Sequence, residues 1–297
     1  MPETSGSNIT QRAIAEGLEA CLGKPFSVLD HGFVRVVDYM GNDAAIVQAA
    51  RVSYGLGTKS VSEDAGLINY LMMNAHTSPF EMCEIKLHVK LPIFVARQWI
   101  RHRMANVNEV SGRYSVLPTE HYLPEAAQLC YQSARNKQGK STSLSPEQQE
   151  QVQEMLRTDA VQIFAHYAEM LALPNAENAS ENGLTRELAR INLPLSTYTE
   201  WYWKIDLHNL LHFLSLRLTP HAQYEIRTYT EVLLDIVKRW VPLTYAAFVE
   251  HRLEGARLSK TAIEVIRRII AGAPTTQEES GLNKREWENL RRAFLDV

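Results

Sequence analysis

Eight residues constrain the fold more than any other stretch of this chain. From Glu84 to Leu91 polar and apolar side chains alternate without exception. Ile85, Leu87, Val89 and Leu91 fall on one side, and Glu84, Lys86, His88 and Lys90 on the other. Successive strand side chains point to opposite faces, so this is a half-buried strand with a core on one side only. Pro92 stops it and can open a helix at its first position. The helix predicted over about 93–104 carries Arg97, Gln98, Arg101 and His102. Gln98 stands three and four residues from the last two, which puts them on one face.

Other elements gather around that strand. Residues 28–40 are β-branched and aromatic and read as one strand, ended by Gly41-Asn42; a helix over about 43–52 follows. A second helix runs from about Ser62 to His76, with Leu67, Ile68, Leu71 and Met72 on one face. Residues 136–145 and 174–183 are polar loops. Between them, Ser145-Pro146-Glu147-Gln148 forms a capping box with proline at the first helical position. The long helix it starts ends near Leu173, before Pro174. A short helix spans Arg186–Asn192, and 195–205, rich in Thr, Tyr and Trp, is a strand. Asp206 can cap the next helix, whose buried stripe is Leu207, Leu210, Leu211, Leu214 and Leu218. Thr219-Pro220 starts another, ending near Trp240. Ile14, Leu18 and Leu22 mark a short helix near the start. Two more helices, 256–271 and 284–295, flank a Gly-Ala-Pro-Thr-Thr linker; the second has its own capping box at Asn283 and a Trp287/Leu290/Phe294 stripe. The fold class is α+β: mixed helices with a small antiparallel-containing sheet, one main domain over 28–254, and extensions over 1–27 and 255–297.

Hydrophobic residues at 45% and charged ones at 22% provide for a packed core. Acids outnumber Lys and Arg by 34 to 31, a net charge of −3, so no global excess of positive charge draws the chain to nucleic acid or anionic lipid. The three cysteines, Cys21, Cys83 and Cys130, are odd in number and lack CxxC spacing, which fits neither a disulfide framework nor a zinc site. No apolar run is long enough for a signal peptide core or a membrane span. A reduced, cytoplasmic protein is expected.

Anion binding must therefore come from local clusters, and the densest is Arg101-His102-Arg103-Met104-Ala105-Asn106-Val107-Asn108-Glu109-Val110-Ser111-Gly112-Arg113-Tyr114-Ser115. Guanidinium forks match phosphate geometry, and Ser-Gly allows a ligand close to backbone N–H groups. The alternative is a solvated basic helix end. His208 and His212, at i and i+4, can bind a metal, line a polar face, or contact a planar cofactor. Arg217 lies on the opposite side of the same helix from His208, at ~100° per residue; it serves a second site or pairs with a carboxylate. Arg190 sits in a short helix where neighbours can pair, and His76 and Ser78 precede a Pro-Phe turn. No cysteine lies in the basic segment, and Ser111 lacks the strand–turn–helix setting of a nucleophile elbow. Single-stranded RNA binding through Arg and aromatic residues is a competing reading, which the net charge opposes.

Arg101-His102-Arg103, seven residues, then Ser111 resembles the RHR-x7-S signature of the flavin-dependent thymidylate synthases. Further segments are similar and in the same order over about 28–252: Pro92–Trp99, Ser111–Ser115, Arg186–Arg190 and Leu216–Arg227. The resemblance implies reductive methylation of dUMP to dTMP, with methylenetetrahydrofolate as carbon donor and FAD as carrier of reducing equivalents from NADPH. It implies a homotetramer whose sites are shared between subunits. By position, Ser78, Arg101, His102, Arg103, Met104 and Glu109 match flavin contacts, as do Asp206, Leu207, His208 and His212. Gln98, Trp99, Ile100, Arg101, Glu109, Val110, Ser111, Gly112, Arg113, Arg190 and Arg217 match nucleotide contacts. His76 matches a histidine near the flavin, and Arg217 the residue thought to favour ionisation at N3 of uracil. At 206–212 this chain has Asp, His and His where some members carry Asn, Arg and Asn. Uracil C5 is a poor nucleophile, and classical thymidylate synthases activate it with a cysteine. A chain without one needs another route, such as a guanidinium stabilising a uracil anion.

Overall fold

The computed structural model describes residues 12–52, 61–134, 139–178 and 182–294, with the backbone alone at 61–63. Residues 1–11 of the N-terminal extension, and parts of the two polar loops, lie outside them. The described residues form two compact units, dividing between Tyr245 and Ala246.

The first unit is built on the strand that alternates. Strands β1 (Pro25–Val28), β2 (Gly32–Met40), β3 (Glu84–Pro92), β4 (Asn106–Glu109) and β7 (Tyr198–Asp206) form an antiparallel sheet in the order β1-β2-β3-β7-β4. β5 (Cys130–Gln132) and β6 (Lys140–Ser143) form a separate hairpin. β3 is central and pairs with β7 over its whole length, from Glu84↔Asp206 to Pro92↔Tyr198. Its burial alternates as the sequence requires, and Ile85, Leu87, Val89 and Leu91 are fully buried.

Helices pack on that apolar face and on one another. In chain order they are α1 (Glu16–Glu19), α2 (Asp43–Arg51), α3 (Val61–Met73), α4 (Ser78–Glu81), α5 (Ile93–Trp99), α6 (Pro146–Leu171), α7 (Arg186–Ala189), α8 (Leu207–Arg217) and α9 (Tyr224–Trp240). α10 (Pro242–Phe248) spans the division between the units. The core between sheet and helices is aromatic. Trp99 of α5 stacks on Phe213 of α8 at 4.9 Å and meets Trp201, Trp203 and Tyr229 edge-on at 5.2–5.9 Å. Truncating such a buried ring to alanine costs about 3–5 kcal/mol.

Four elements depart from the sequence reading. The strand read over 28–40 is two strands joined by Leu29-Asp30-His31. Gly32 closes the turn by pairing with Val28, but the left-handed position is Leu29, at φ +57°, and Asp30 ties the turn down by accepting from Tyr198 Oη at 2.6 Å and Leu123 N at 2.9 Å. The helix read to 104 stops at Trp99, and Asn106–Glu109 instead pairs with β7 as a short edge strand. Its four residues are all exposed, so it has no apolar alternation to read. Part of the loop read over 136–145 is β6. The helix read from Thr219-Pro220 begins at Tyr224, with Gln223 at its N-cap. Pro92 is the N-cap of α5, one position before the first helical residue. The capping box at Ser145 and the Asp206 cap stand as read.

The second unit carries α11 (Lys260–Ile270), α12 (Gln277–Ser280) and α13 (Lys284–Phe294). Ala262, Val265, Leu282 and Leu290 form a small core of their own, with Ile266, Ile269 and Trp287 packed on it. Asn283 and Glu286 cap each other reciprocally at the start of α13.

Candidate active site

The Trp99 anchor determines where the basic segment begins. With that ring fixed in the core, the chain turns at Ile100, and His102 N donates to Trp99 O at 3.0 Å. Arg101 and Arg103 are exposed, while His102 turns inward, edge-on to Phe213 at 4.7 Å and 6.4 Å from His212. Its Nε2 accepts from Arg217 Nε at 3.1 Å, an arrangement that puts the ring proton on Nδ1. Burial, then the Arg217 charge, then His212 push His102 down to about 4. Burial also lowers the Arg217 pKa. The imidazole is thus neutral at pH 7 and uses only Nε of the guanidinium. Both Nη groups are left without a protein partner among the described residues. His102 contacts both Arg217 and His212 of α8.

Arg217 and Gln98 line a cavity of about 880 Å³. The Gln98 side-chain amide donates to the Gln223 side chain. The rest of the lining includes Gln128, Lys140, His221, Tyr224 and Arg227. These were missed from sequence. Lys140 sits in the unrecognised hairpin and Gln128 just before it, while His221, Tyr224 and Arg227 lie in a segment, Leu216–Arg227, whose amides and cations carried the only available signal.

A second group assembles around Gly112. A Cβ there would stand 3.0 Å from Arg190 Cδ and from Leu117 Cδ1, so glycine is what lets Arg190 lie against this backbone. Arg113 Nε pairs with Glu187 Oε2 at 2.9 Å, Arg186 Nη1 donates to Tyr114 O at 3.0 Å, and Ser111 Oγ accepts from Arg113 N at 3.3 Å. Arg190 is half-buried and has no carboxylate partner among the described residues. The third group is Glu109, whose Oε1 accepts from Thr199 Oγ1 at 2.7 Å beside a cavity of about 400 Å³ that Val110 also lines. No hydrogen bond or ion pair among the described residues joins the three groups.

The remaining candidates are more scattered. His76 is exposed and edge-on to Tyr70 at 5.7 Å; Ser78 opens α4; Met104 is 70% exposed. Asp206 accepts from Asn209 N at 2.9 Å and Asn209 Nδ2 at 2.7 Å. The side chains of Trp99 and Leu207 are 0% exposed and belong to the core, so only their backbone remains for a ligand. His208 is half-buried and His212 exposed. No cluster of three or more His, Cys, Asp or Glu side chains suited to a metal occurs among the described residues. No cysteine lines either cavity, and burial pushes the Cys83 thiol up to about 12.

The structure resembles that of a UMP/dUMP methylase, PolB, from Streptomyces cacaoi, crystallised with 5-Br UMP and with 5-Br dUMP. TM-scores are 0.65 and 0.66 at 32% identity, covering 75% of this chain and 96–97% of that one. Residues 35–243 match the family model described as thymidylate synthase complementing protein. Flavin-dependent thymidylate synthases from Gluconobacter oxydans and Rickettsia bellii are 59% and 57% identical, over 99% and 96% of this chain and 95% and 99% of theirs. The chain belongs to the flavin-dependent thymidylate synthase family.

Proposed function

We propose that this enzyme converts dUMP to dTMP, taking the carbon from methylenetetrahydrofolate and using FAD and NADPH. One observation carries the reading. In a chain with more acids than bases, the guanidiniums of Arg101, Arg103, Arg190 and Arg217 have no carboxylate partner among the described residues. Unpaired guanidinium forks are the donors a phosphorylated ligand requires. This donor set fits a nucleotide and a dinucleotide cofactor.

FAD, when bound, supplies the reducing equivalents; everything else falls to the chain. Ser78, Arg101, His102, Arg103, Met104 and Glu109, with Asp206, Leu207, His208 and His212, hold the cofactor. Arg190, Ser111, Gly112 and Arg113 bind the nucleotide phosphate. Gln98, Trp99 (through its backbone), Ile100, Glu109, Val110 and Arg217 address the base and sugar, and His76 flanks the flavin. Arg217 carries the central step. Its free Nη pair lies where burial strengthens the attraction between opposite charges, and it stabilises negative charge developing on uracil at N3 and O4. The absence of a cysteine lining the site supports activation of this kind.

The active site is completed between subunits of a homotetramer. Support comes from the separation of the three groups, and from the apolar side chains left uncovered near Gly112 and Arg190: Tyr114, Leu188, Ile191 and Leu195 are 50–77% exposed. We assign residues 28–254 to the catalytic domain and 1–27 and 255–297 to its extensions; the division between Tyr245 and Ala246 falls inside that span, and β1 begins three residues before it. The enzyme works in the cytoplasm; no helix among the described residues is long and apolar enough to cross a membrane.

The test is NADPH oxidation by the purified, FAD-loaded protein with methylenetetrahydrofolate. Oxidation that requires dUMP and yields dTMP is expected. NADPH oxidation with no dTMP formed rejects the reading.

A further inference from the structure

The cavity that holds Arg217 and Gln98 extends well beyond them. Its outer end is formed by Lys140 on β6, His221 in the turn between α8 and α9, and Tyr224 and Arg227 on the first turn of α9. None of these residues is given a role by the reading above. Three features converge there. First, Lys140 and Arg227 both lie against the Tyr224 ring, at 5.6 and 5.9 Å from its centroid, so one aromatic side chain holds two cations near each other. Lys140 is further fixed by Gln128 O at 3.1 Å and Gln128 Oε1 at 2.9 Å, both neutral acceptors. Second, no Asp or Glu lines the cavity among the described residues. Glu231 meets Arg227 Nε at 3.5 Å and leaves the Nη groups uncommitted. Third, α9 is a seventeen-residue helix whose N-cap Gln223 makes no side-chain capping bond; that side chain is engaged with Gln98. The first-turn N–H groups of α9 thus lack a side-chain cap from Gln223 and lie at the same wall, while the buried Glu225 of that turn, which accepts from Tyr122 Oη at 3.2 Å, offsets part of their positive charge.

We propose that this outer end is a second anion subsite, which takes an oxyanion group of a substrate while Gln98 and Arg217 engage the reacting base. The chemistry is shared by two sources, the carboxylates of the carbon donor and the phosphate of the nucleotide. Ser111, Arg113 and Arg190 already supply a phosphate site on the reading above, on which this inference rests, so the carboxylates are the expected occupant.

Four proteins test it: wild type, Lys140→Met, Arg227→Gln and the charge-preserving Lys140→Arg. Arg227→Gln leaves the hairpin intact, so the result does not depend on how β5 and β6 tolerate the loss of Lys140. Calorimetric titration with 5-formyltetrahydrofolate and, separately, with dUMP reads binding without turnover. Loss of one charge-assisted contact weakens binding by about tenfold. That loss in Lys140→Met and Arg227→Gln, with recovery in Lys140→Arg, is expected for the folate. The same pattern for dUMP supports the subsite with the nucleotide phosphate as occupant. Unchanged affinity for both ligands in both charge-removing variants overturns the subsite alone. A wild type that binds neither ligand overturns the functional reading beneath it.

Discussion

Arg217 and His102 are coupled through one hydrogen bond, and that coupling has a pH signature. His102 is held at about 4, below its ordinary 6.5, mainly by burial. Between those values the unfolded chain binds a proton that the native one excludes, so acid favours unfolding. The contribution is complete at pH 4, fades as pH rises to 6.5, and is absent above it. Replacing His102 by Gln, which keeps an acceptor near the Nε2 position, should flatten the fall in Tm between pH 6.5 and 4; melting curves with the wild-type slope would refute this. Arg217→Lys should retain dUMP but lose about a hundredfold in turnover, because an ammonium cannot both hold His102 and present a planar fork. Steady-state kinetics that show near-normal kcat would remove Arg217 from the mechanism. Gly112→Ala places a Cβ against Arg190 and Leu117, and overpacking of this kind costs about 1–3 kcal/mol. If Arg190 moves instead, dUMP affinity drops by about tenfold. A variant with unchanged stability and unchanged dUMP affinity would show that Arg190 does not depend on this contact.

At the scale of elements, what could be read from sequence followed from how local the determining physics is. The β3 alternation, the Ser145 box and the Asp206 cap are all specified within a few residues, and all are present. Ser145 accepts from Gln148 N at 3.3 Å while Gln148 returns a bond to Ser145 N at 3.0 Å. Ser145→Ala should destabilise α6 by about 1 kcal/mol in chemical denaturation; no measurable change would mean that packing alone fixes the helix start. The misread elements depend on distant partners. The turn at Leu29 is tethered by Asp30 to Tyr198 and Leu123, 168 and 93 residues away. β4 exists because β7 offers an edge to pair with, and its own four residues carry no pattern. The site shows the same division. Contiguous residues 101–113 and the family's spacing were visible, whereas the wall of Lys140, Tyr224 and Arg227 exists only once the hairpin and α9 have folded together.

For the whole molecule, the account depends on unpaired cations. Net charge gave no hint of them, because the acids that outnumber them lie elsewhere: Glu187 takes Arg113, Glu120 takes Lys90 and Glu84 takes Lys204, but none reaches Arg190 or Arg217. That arrangement makes sense when ligands and neighbouring subunits complete the site, and light scattering should return the mass of a tetramer; a monomer that retains full turnover would contradict shared sites. The most direct measurement is the absorbance of the FAD-loaded protein titrated with dUMP. The account predicts a yellow protein whose flavin bands shift and saturate as dUMP binds, with the titration midpoint moved to higher concentration in Arg190→Gln. A protein that takes up no FAD, or a flavin spectrum indifferent to dUMP, would contradict it.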